Sequence, residues 1–381
     1  MKAEMLSKIN YVTNLKDVVG LSRSDYIECQ KVAEKYPFMA NEYYLSLINW
    51  DDPDDPIRKV VIPNSDELEQ WGRLDPSNEH QFTIMPGLEH KYNTTALLLV
   101  SNVCAGICRY CFRKRVFHES SKDCLHDLSA ALKYIERHTE ITNVLLTGGD
   151  PLTLPTERLE EIISKLRQIE HVRIIRIGTR VPVYYPYRIT EDYDLLKLLE
   201  KYTTARSKIY MMTHFIHPNE LTDIAVDACH RIQKTGVRMT NQVPLLRGIN
   251  DKPQVLSKLL QELSFCGVIP YYIFQCRPAS GNRMFTVPIE EGYGIVEKAK
   301  ACVSGLAKRA RYVMSHSTGK IEIVGKTEYN VYMKYHRAAN DADSGKFMIL
   351  KSNPKACWFD DYEEIAADYP LNEPFRTYGP E

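Results

Sequence analysis

The sequence predicts an α/β fold, a partial (β/α)6 barrel open on one side, with an N-terminal helical extension (residues 1–92) and a C-terminal tail (326–381). Three observations predict it. Short β-rich runs alternate with amphipathic helical stretches through residues 93–325, about six such pairs fit there, and neither flank shows the alternation. Repeated strand–helix units build a parallel sheet whose functional residues lie at the strand C-terminal ends, and a closed barrel would need eight of them.

In the N-terminal segment, helical pieces are expected at 15–19 and 24–35. They are followed by Asp51-Asp52-Pro53-Asp54-Asp55-Pro56, a run of turn formers. Strands are expected at 96–101, 143–147, 173–178, 208–213, 238–243 and 271–275, and helices at 127–138, 157–169, 193–201, 221–234, 253–264 and 290–306. In the third of these helices Leu195, Leu196, Leu198 and Leu199 form the apolar stripe of a covering helix. The tail, rich in Tyr, Lys and Asp and ending in Pro370, Pro374 and Pro380, is expected to wrap the barrel or meet a second subunit.

At 381 residues the chain can bury a sizeable core. Its 49 basic and 49 acidic residues balance, so the net charge calls for neither a nucleic-acid nor a membrane partner, and no apolar run approaches the ~20 residues of a membrane span. The opening Met1-Lys2-Ala3-Glu4-Met5 lacks the apolar stretch of a secretory signal, which predicts a reducing cytoplasm where thiols stay free.

Chemistry enters with Cys104, Cys108 and Cys111, just after the first parallel strand. A closed metal centre normally takes four protein ligands, so three thiols point to a centre with one open position. A zinc site completed by His118 or Cys124 is the alternative. Leu145-Leu146-Thr147-Gly148-Gly149-Asp150-Pro151 ends the second strand with two glycines and an acid, a sequence that also suits an ordinary turn.

The CxxxCxxC spacing followed by Gly148-Gly149-Asp150 resembles the radical S-adenosylmethionine superfamily. There, three thiolates hold a [4Fe-4S] cluster whose fourth iron binds S-adenosylmethionine. Further segments narrow the likeness to the lysine 2,3-aminomutase family: Arg176-Ile177-Gly178-Thr179-Arg180-Val181-Pro182, Thr213-His214-Phe215-Ile216-His217-Pro218-Asn219-Glu220, Asn241-Gln242-Val243-Pro244-Leu245, and, before the cysteines, Pro86-Gly87-Leu88-Glu89-His90-Lys91-Tyr92. The resemblance runs from about residue 36 to residue 325.

It implies cluster ligands at Cys104, Cys108 and Cys111 and an adenine neighbour at Tyr110. It implies S-adenosylmethionine contacts at Gly148, Gly149, Asp150, Arg180, His214 and Gln242, where His214 and Gln242 read otherwise as strand-end polar groups. Arg113 matches the arginine that pairs with the substrate α-carboxylate, against a reading of Arg113-Lys114-Arg115 as a solvated basic turn. Pyridoxal 5′-phosphate would be held by Lys320 in Ser315-His316-Ser317-Thr318-Gly319-Lys320, against a plain loop lysine.

The chain departs from the family in three places. Only Gly319 remains of the glycines before the lysine, Lys91 and Thr95 stand where arginines meet the cofactor phosphate, and Arg277 stands where lysine-specific enzymes carry an aspartate. Arg277 would repel a cationic side chain and suits an acidic amino acid. The implied function is a 2,3-aminomutase moving an α-amino group to the β-carbon of an amino acid other than free lysine. It would draw electrons from a flavodoxin or ferredoxin and would act as a homo-oligomer. The other readings are an enzyme that modifies a lysine of elongation factor P, a radical enzyme without pyridoxal phosphate, and a zinc-stabilised binding protein.

Overall fold

A computed structural model describes residues 9–117, 123–363 and 365–369, and its main feature is a sheet of 13 strands hydrogen-bonded in sequence order. The chain opens with strand β1 (Tyr11–Val12), helix α1 (Arg23–Lys35), strand β2 (Ala40–Asn41) and the short helices α2 (Glu42–Leu45) and α3 (Pro56–Val61); β1 and β2 pair antiparallel. The acid and proline run ends by starting α3. The Asp55 carboxylate accepts from the Arg58 amide, and Pro56, with no N–H to leave unpaired, opens the first turn. Strands β3 (Thr83–Met85) and β4 (Leu88–Tyr92) then begin the large sheet.

Six strand–helix units follow: β5 (Thr95–Ser101) with α4 (Leu128–Arg137), β6 (Asn143–Gly148) with α5 (Thr156–Gln168), and β7 (Ile174–Gly178) with the short α6 (Val181–Tyr184) and α7 (Tyr187–Thr190) before α8 (Tyr193–Lys201). After them come β8 (Lys208–Thr213) with α9 (Asp223–Lys234), β9 (Arg238–Leu245) with α10 (Pro253–Phe265) and β10 (Ile269–Gln275) with α11 (Ile289–Ala301). Each expected strand and helix of this region is present. A further strand, β11 (Arg311–His316), pairs parallel with β10, and every strand from β5 to β11 runs parallel to its neighbour. The helices cover the sheet with the stripes their periodicity predicts. In α8, Leu195, Leu198 and Leu199 are buried and Leu196 lies half-buried at the margin, each fully buried leucine stabilising by about 1.5–3 kcal/mol.

The tail differs from its expected role. Instead of wrapping the barrel, β12 (Gly319–Lys326), β13 (Asn330–Ala338), β14 (Phe347–Lys351) and β15 (Ile365–Tyr369) extend the same sheet antiparallel, so the sheet crosses the boundaries expected at 92 and 325. Its polar composition hid an alternation of period two: Val331, Met333 and Tyr335 are buried while Tyr332, Lys334 and His336 between them are less so. Pro370, Pro374 and Pro380 lie outside the described residues.

Residues of ten consecutive strands, β4 to β13, line one cavity. Laid flat, ten strands would span about 43 Å, so the sheet must curve around that space. Side chains bridge its open side. Lys91 Nζ donates to the His316 carbonyl, and Arg337 donates to the hydroxyls of Thr95 and Thr94 at 3.0 and 2.6 Å. Among the described residues no helix is long and apolar enough to cross a membrane.

Candidate active site

The cavity has a volume of about 580 Å³, and all thirteen residues singled out from the sequence as site candidates line it. The cysteine loop leaves β5 and is held from behind by the N-terminal segment: the Ile107 amide donates to the Met39 carbonyl and the Arg109 amide to the Val60 carbonyl, both at 2.8 Å. The Asn41 side-chain amide donates to the carbonyls of Ala105 and Tyr184. Arg109 turns away from the cavity and is fully buried against both oxygens of Glu67. This ties the loop to the extension.

Cys104, Cys108 and Cys111 are free thiols, each partly exposed. Arg180 Nη1 lies 2.7 Å from Cys108 Sγ and the Tyr184 hydroxyl 3.2 Å from it, the donor shell that a cluster thiolate needs. Burial pushes the Cys111 thiol up to about 11 and Cys104 well above its ordinary value, so binding metal would release their protons. Among the described residues no three His, Cys, Asp or Glu side chains converge on a point for a single metal ion. The zinc arrangement with Cys124 is therefore not assembled among them, and His118 lies outside the described residues. A cubane asks instead for three thiols on one cavity wall, each for its own iron.

The end of β6 packs under this loop through its glycines. A Cβ on Gly148, whose φ is +120°, would sit 2.3 Å from the Ser101 carbonyl oxygen, and one on Gly149 would sit 2.4 Å from that of Val103. Both clashes are with backbone, so no larger residue fits. The Asp150 carboxylate is engaged within the fold: it accepts from the Thr179 hydroxyl and from the amides of Arg180 and Leu152. It thereby shapes the β6 loop and joins it to the end of β7.

Past β7, Arg180 bridges Cys108, the Tyr110 hydroxyl at 2.7 Å and the fully buried Glu220. The Tyr110 ring stacks on His214 with centroids 5.9 Å apart, and its hydroxyl lies 3.2 Å from His214 Nε2. Burial, then the Arg180 charge, push His214 down to about 3, so its imidazole is neutral. Gln242 lines the cavity.

Arg113 and Lys114 are buried, unlike a solvated turn. Arg113 gives Nε and Nη2 hydrogens to Glu79 at 3.0 and 2.9 Å and an Nη1 hydrogen to Thr147. Arg115 also meets Glu79, at 2.7 Å. Arg277 stacks on Phe112, 3.6 Å from the ring centroid, reaches Glu79 only at 3.8 Å, and keeps Nη1 buried without a hydrogen bond. Burial lowers it to about 10, where it remains charged at neutral pH. Glu89 is buried beside them; burial, then the neighbouring Glu79, push it up to about 7.

Lys320 belongs to β12, not a loop, and pairs across the sheet with Ser315 on one side and Arg337 on the other. Its Nζ lies 4.0 Å from the Tyr272 ring centroid and 5.2 Å from that of Phe274. Burial and the charges of Arg176, Arg277, Arg337 and Lys91 push its pKa well below the ordinary lysine value. That shift favours the neutral amine, the form able to condense with a carbonyl. The residues fit pyridoxal phosphate in kind: an amine whose charged form the site disfavours, flanking aromatic faces and an excess of cations.

Sequence reading missed Glu79 and Arg337 as cavity residues. A single acid in a polar segment and an arginine in a polar strand carry no spacing signal. Glu89, Arg176 and Glu220 stood inside motifs already quoted, yet residue type and spacing assigned them no role.

A parallel sheet curved around a cavity, with three cysteines after its first strand and a glycine pair at the end of its second, defines a radical S-adenosylmethionine enzyme, and the radical SAM superfamily model matches residues 98–260. The chain is 53% identical over 366 residues, covering 96% of its length and 98% of the relative's, to an Aquifex aeolicus protein named "Putative L-lysine 2,3-aminomutase". It is 37% identical to the L-lysine 2,3-aminomutase of Clostridium subterminale, covering 79% of this chain and 72% of that one. To the glutamate 2,3-aminomutase of Clostridioides difficile it is 35% identical, covering 80% and 72%. The chain belongs to the lysine 2,3-aminomutase family of radical S-adenosylmethionine enzymes, an isomerase class, and that membership implies a [4Fe-4S] cluster and S-adenosylmethionine.

Proposed function

We propose that this enzyme is a pyridoxal phosphate-dependent 2,3-aminomutase whose substrate is an α-amino acid with an anionic side chain. One observation carries the reading: the three cysteines, Arg113, Arg277 and Lys320, whose charged form the site disfavours, all line the same cavity. Seven basic and three acidic side chains line that cavity, an excess that favours anionic ligands.

In this reading Cys104, Cys108 and Cys111 hold the cluster, with Arg180 and Tyr184 donating to the Cys108 sulfur. The Gly148-Gly149 backbone, Arg180, His214 and Gln242 receive S-adenosylmethionine, whose cleavage needs an electron from an external reductant, and Tyr110 meets its adenine. Arg113 presents its remaining Nη1–Nη2 edge to the substrate α-carboxylate, since Glu79 occupies the other. Arg277 meets the side-chain anion, and Glu89, when protonated, donates a hydrogen bond beside it. Pyridoxal phosphate joined through its aldehyde to Lys320 Nζ would supply the π-system that stabilises an unpaired electron while nitrogen changes carbon.

The test is product analysis under anaerobic conditions with reductant, S-adenosylmethionine and pyridoxal phosphate, offering glutamate, aspartate and lysine separately. A β-amino acid is expected from an acidic substrate, and Arg277→Asp should raise its KM by at least ~30-fold, about 2 kcal/mol. Conversion of lysine in preference to both acids would refute the substrate class. Failure to rearrange any amino acid by protein that carries a full cluster would refute the mutase reading.

A further inference from the structure

The four buried arginines of the described residues differ from three half-buried ones that line the cavity. Arg109, Arg113, Arg180 and Arg188 each meet a carboxylate, from Glu67, Glu79, Glu220 and Asp192. Among the described residues Arg176 and Arg337 form no ion pair, and Arg277 has only the 3.8 Å contact to a Glu79 already shared by Arg113 and Arg115. All three bear on Lys320. Three half-buried guanidiniums facing one cavity with no carboxylate of their own raise the local positive potential, which favours an anion from outside.

Arg337 has the geometry to receive it. Directly opposed residues of paired strands keep their Cβ atoms about 5 Å apart, and Arg337 is the cross-strand partner of Lys320. Gly319 permits that approach: a Cβ there would lie 2.5 Å from the Arg337 carbonyl oxygen. The Arg337 guanidinium lies over the Tyr92 ring, 4.4 Å from its centroid, and spends two hydrogens on Thr95 and Thr94. Its other N–H groups remain available, and since Thr95 Oγ1 accepts from Arg337, its own proton is free to donate. Arg176, held through Nε by Asn143 at 2.9 Å, faces the same space. Arg277, stacked on Phe112 and 3.8 Å from Glu79, stands with Arg113 and Arg115 around that carboxylate.

We propose that Arg337, assisted by Arg176 and the Thr95 hydroxyl, anchors the phosphate of the pyridoxal cofactor, so that strand β13 supplies the charge absent at Thr95. The inference rests on the cofactor reading above. The aldehyde and the phosphate-bearing arm are neighbouring substituents of one pyridine ring, which matches two long side chains rising from opposed positions.

The test compares pyridoxal phosphate with pyridoxal, which lacks the phosphate, in wild-type protein and Arg337→Ala. Borohydride trapping on the Lys320 peptide is titrated against each aldehyde, and circular dichroism monitors the fold. Wild type should trap pyridoxal phosphate at least ~30-fold more tightly than pyridoxal, and Arg337→Ala should lose most of that preference while trapping pyridoxal as before. If Arg337→Ala unfolds, Arg337→Gln removes the charge at nearly constant volume and the same ratio decides. An unchanged ratio in a folded variant overturns the role of Arg337 and leaves the cofactor reading intact. A wild-type protein that traps neither aldehyde overturns the cofactor reading, and this inference with it.

Discussion

Arg113 gives its Nε and Nη2 hydrogens to the two oxygens of Glu79, so the face of the guanidinium that best matches a carboxylate is already filled by the protein. Glu79 also receives Arg115 and draws Arg277 to 3.8 Å. One buried carboxylate therefore organises three cations in the cavity wall. It fixes which edge of Arg113 a ligand can use.

Glu79→Gln should destabilise the protein by about 3–5 kcal/mol at neutral pH, because it leaves buried cations uncompensated. The loss should depend on pH. Burial alone would raise the Glu79 carboxyl, but Arg113, Arg277 and Arg115 outweigh it and hold the group well below the ordinary carboxylate range. Its stabilising contribution is thus fully present above the unfolded value of 4.5 and fades as pH falls below it. Urea melts of both proteins at pH 7 and pH 4 check this; a gap that does not narrow at pH 4 counts against the pairing.

Replacing Cys104, Cys108 or Cys111 with alanine should abolish the brown colour of anaerobically reconstituted protein and most of its iron and sulfide, whereas Cys124→Ala should retain both. Iron and sulfide analysis decides. Colourless wild-type protein holding stoichiometric zinc, lost in Cys124→Ala, would favour the zinc reading.

His214→Asn tests the neutral imidazole. In the unfolded chain the side chain takes up a proton near its ordinary 6.5, while in the folded protein burial and Arg180 hold it to about 3. The unfolded state therefore binds more protons between these values, and this site's share of stability is full above pH 6.5 and is lost as pH falls toward 3. Thermal melts should show a shallower acid decline for the variant across that window, with a difference of about 1 kcal/mol at pH 7 from the lost contact with Tyr110. Parallel declines would mean that the imidazole protonates in the folded state.

What could be read from the chain follows the reach of local physics. The strand–helix period from β5 to α11 is written in apolar spacing, which acts over a few residues, and the cysteine and glycine motifs sit at strand ends that the period itself locates. Strand β13 escaped because one half-exposed strand with lysine, histidine and arginine on its polar side looks like any solvated surface. Glu79 escaped because nothing near it in the chain requires a carboxylate; the requirement comes from Arg113, 34 residues away.

By itself, the sequence determined the class of fold, the three thiols and the Gly148-Gly149 turn, since each depends on residue type and short-range spacing. Only the tertiary structure decided how charge is shared in the cavity. It set Glu79 against Arg113, brought Arg337 beside Lys320 through the register of two late strands, and left Arg176 and Arg337 without a carboxylate partner among the described residues. Electrostatic partnership depends on distance in space, and the curvature of the sheet, which sets those distances, is a property of all its strands together.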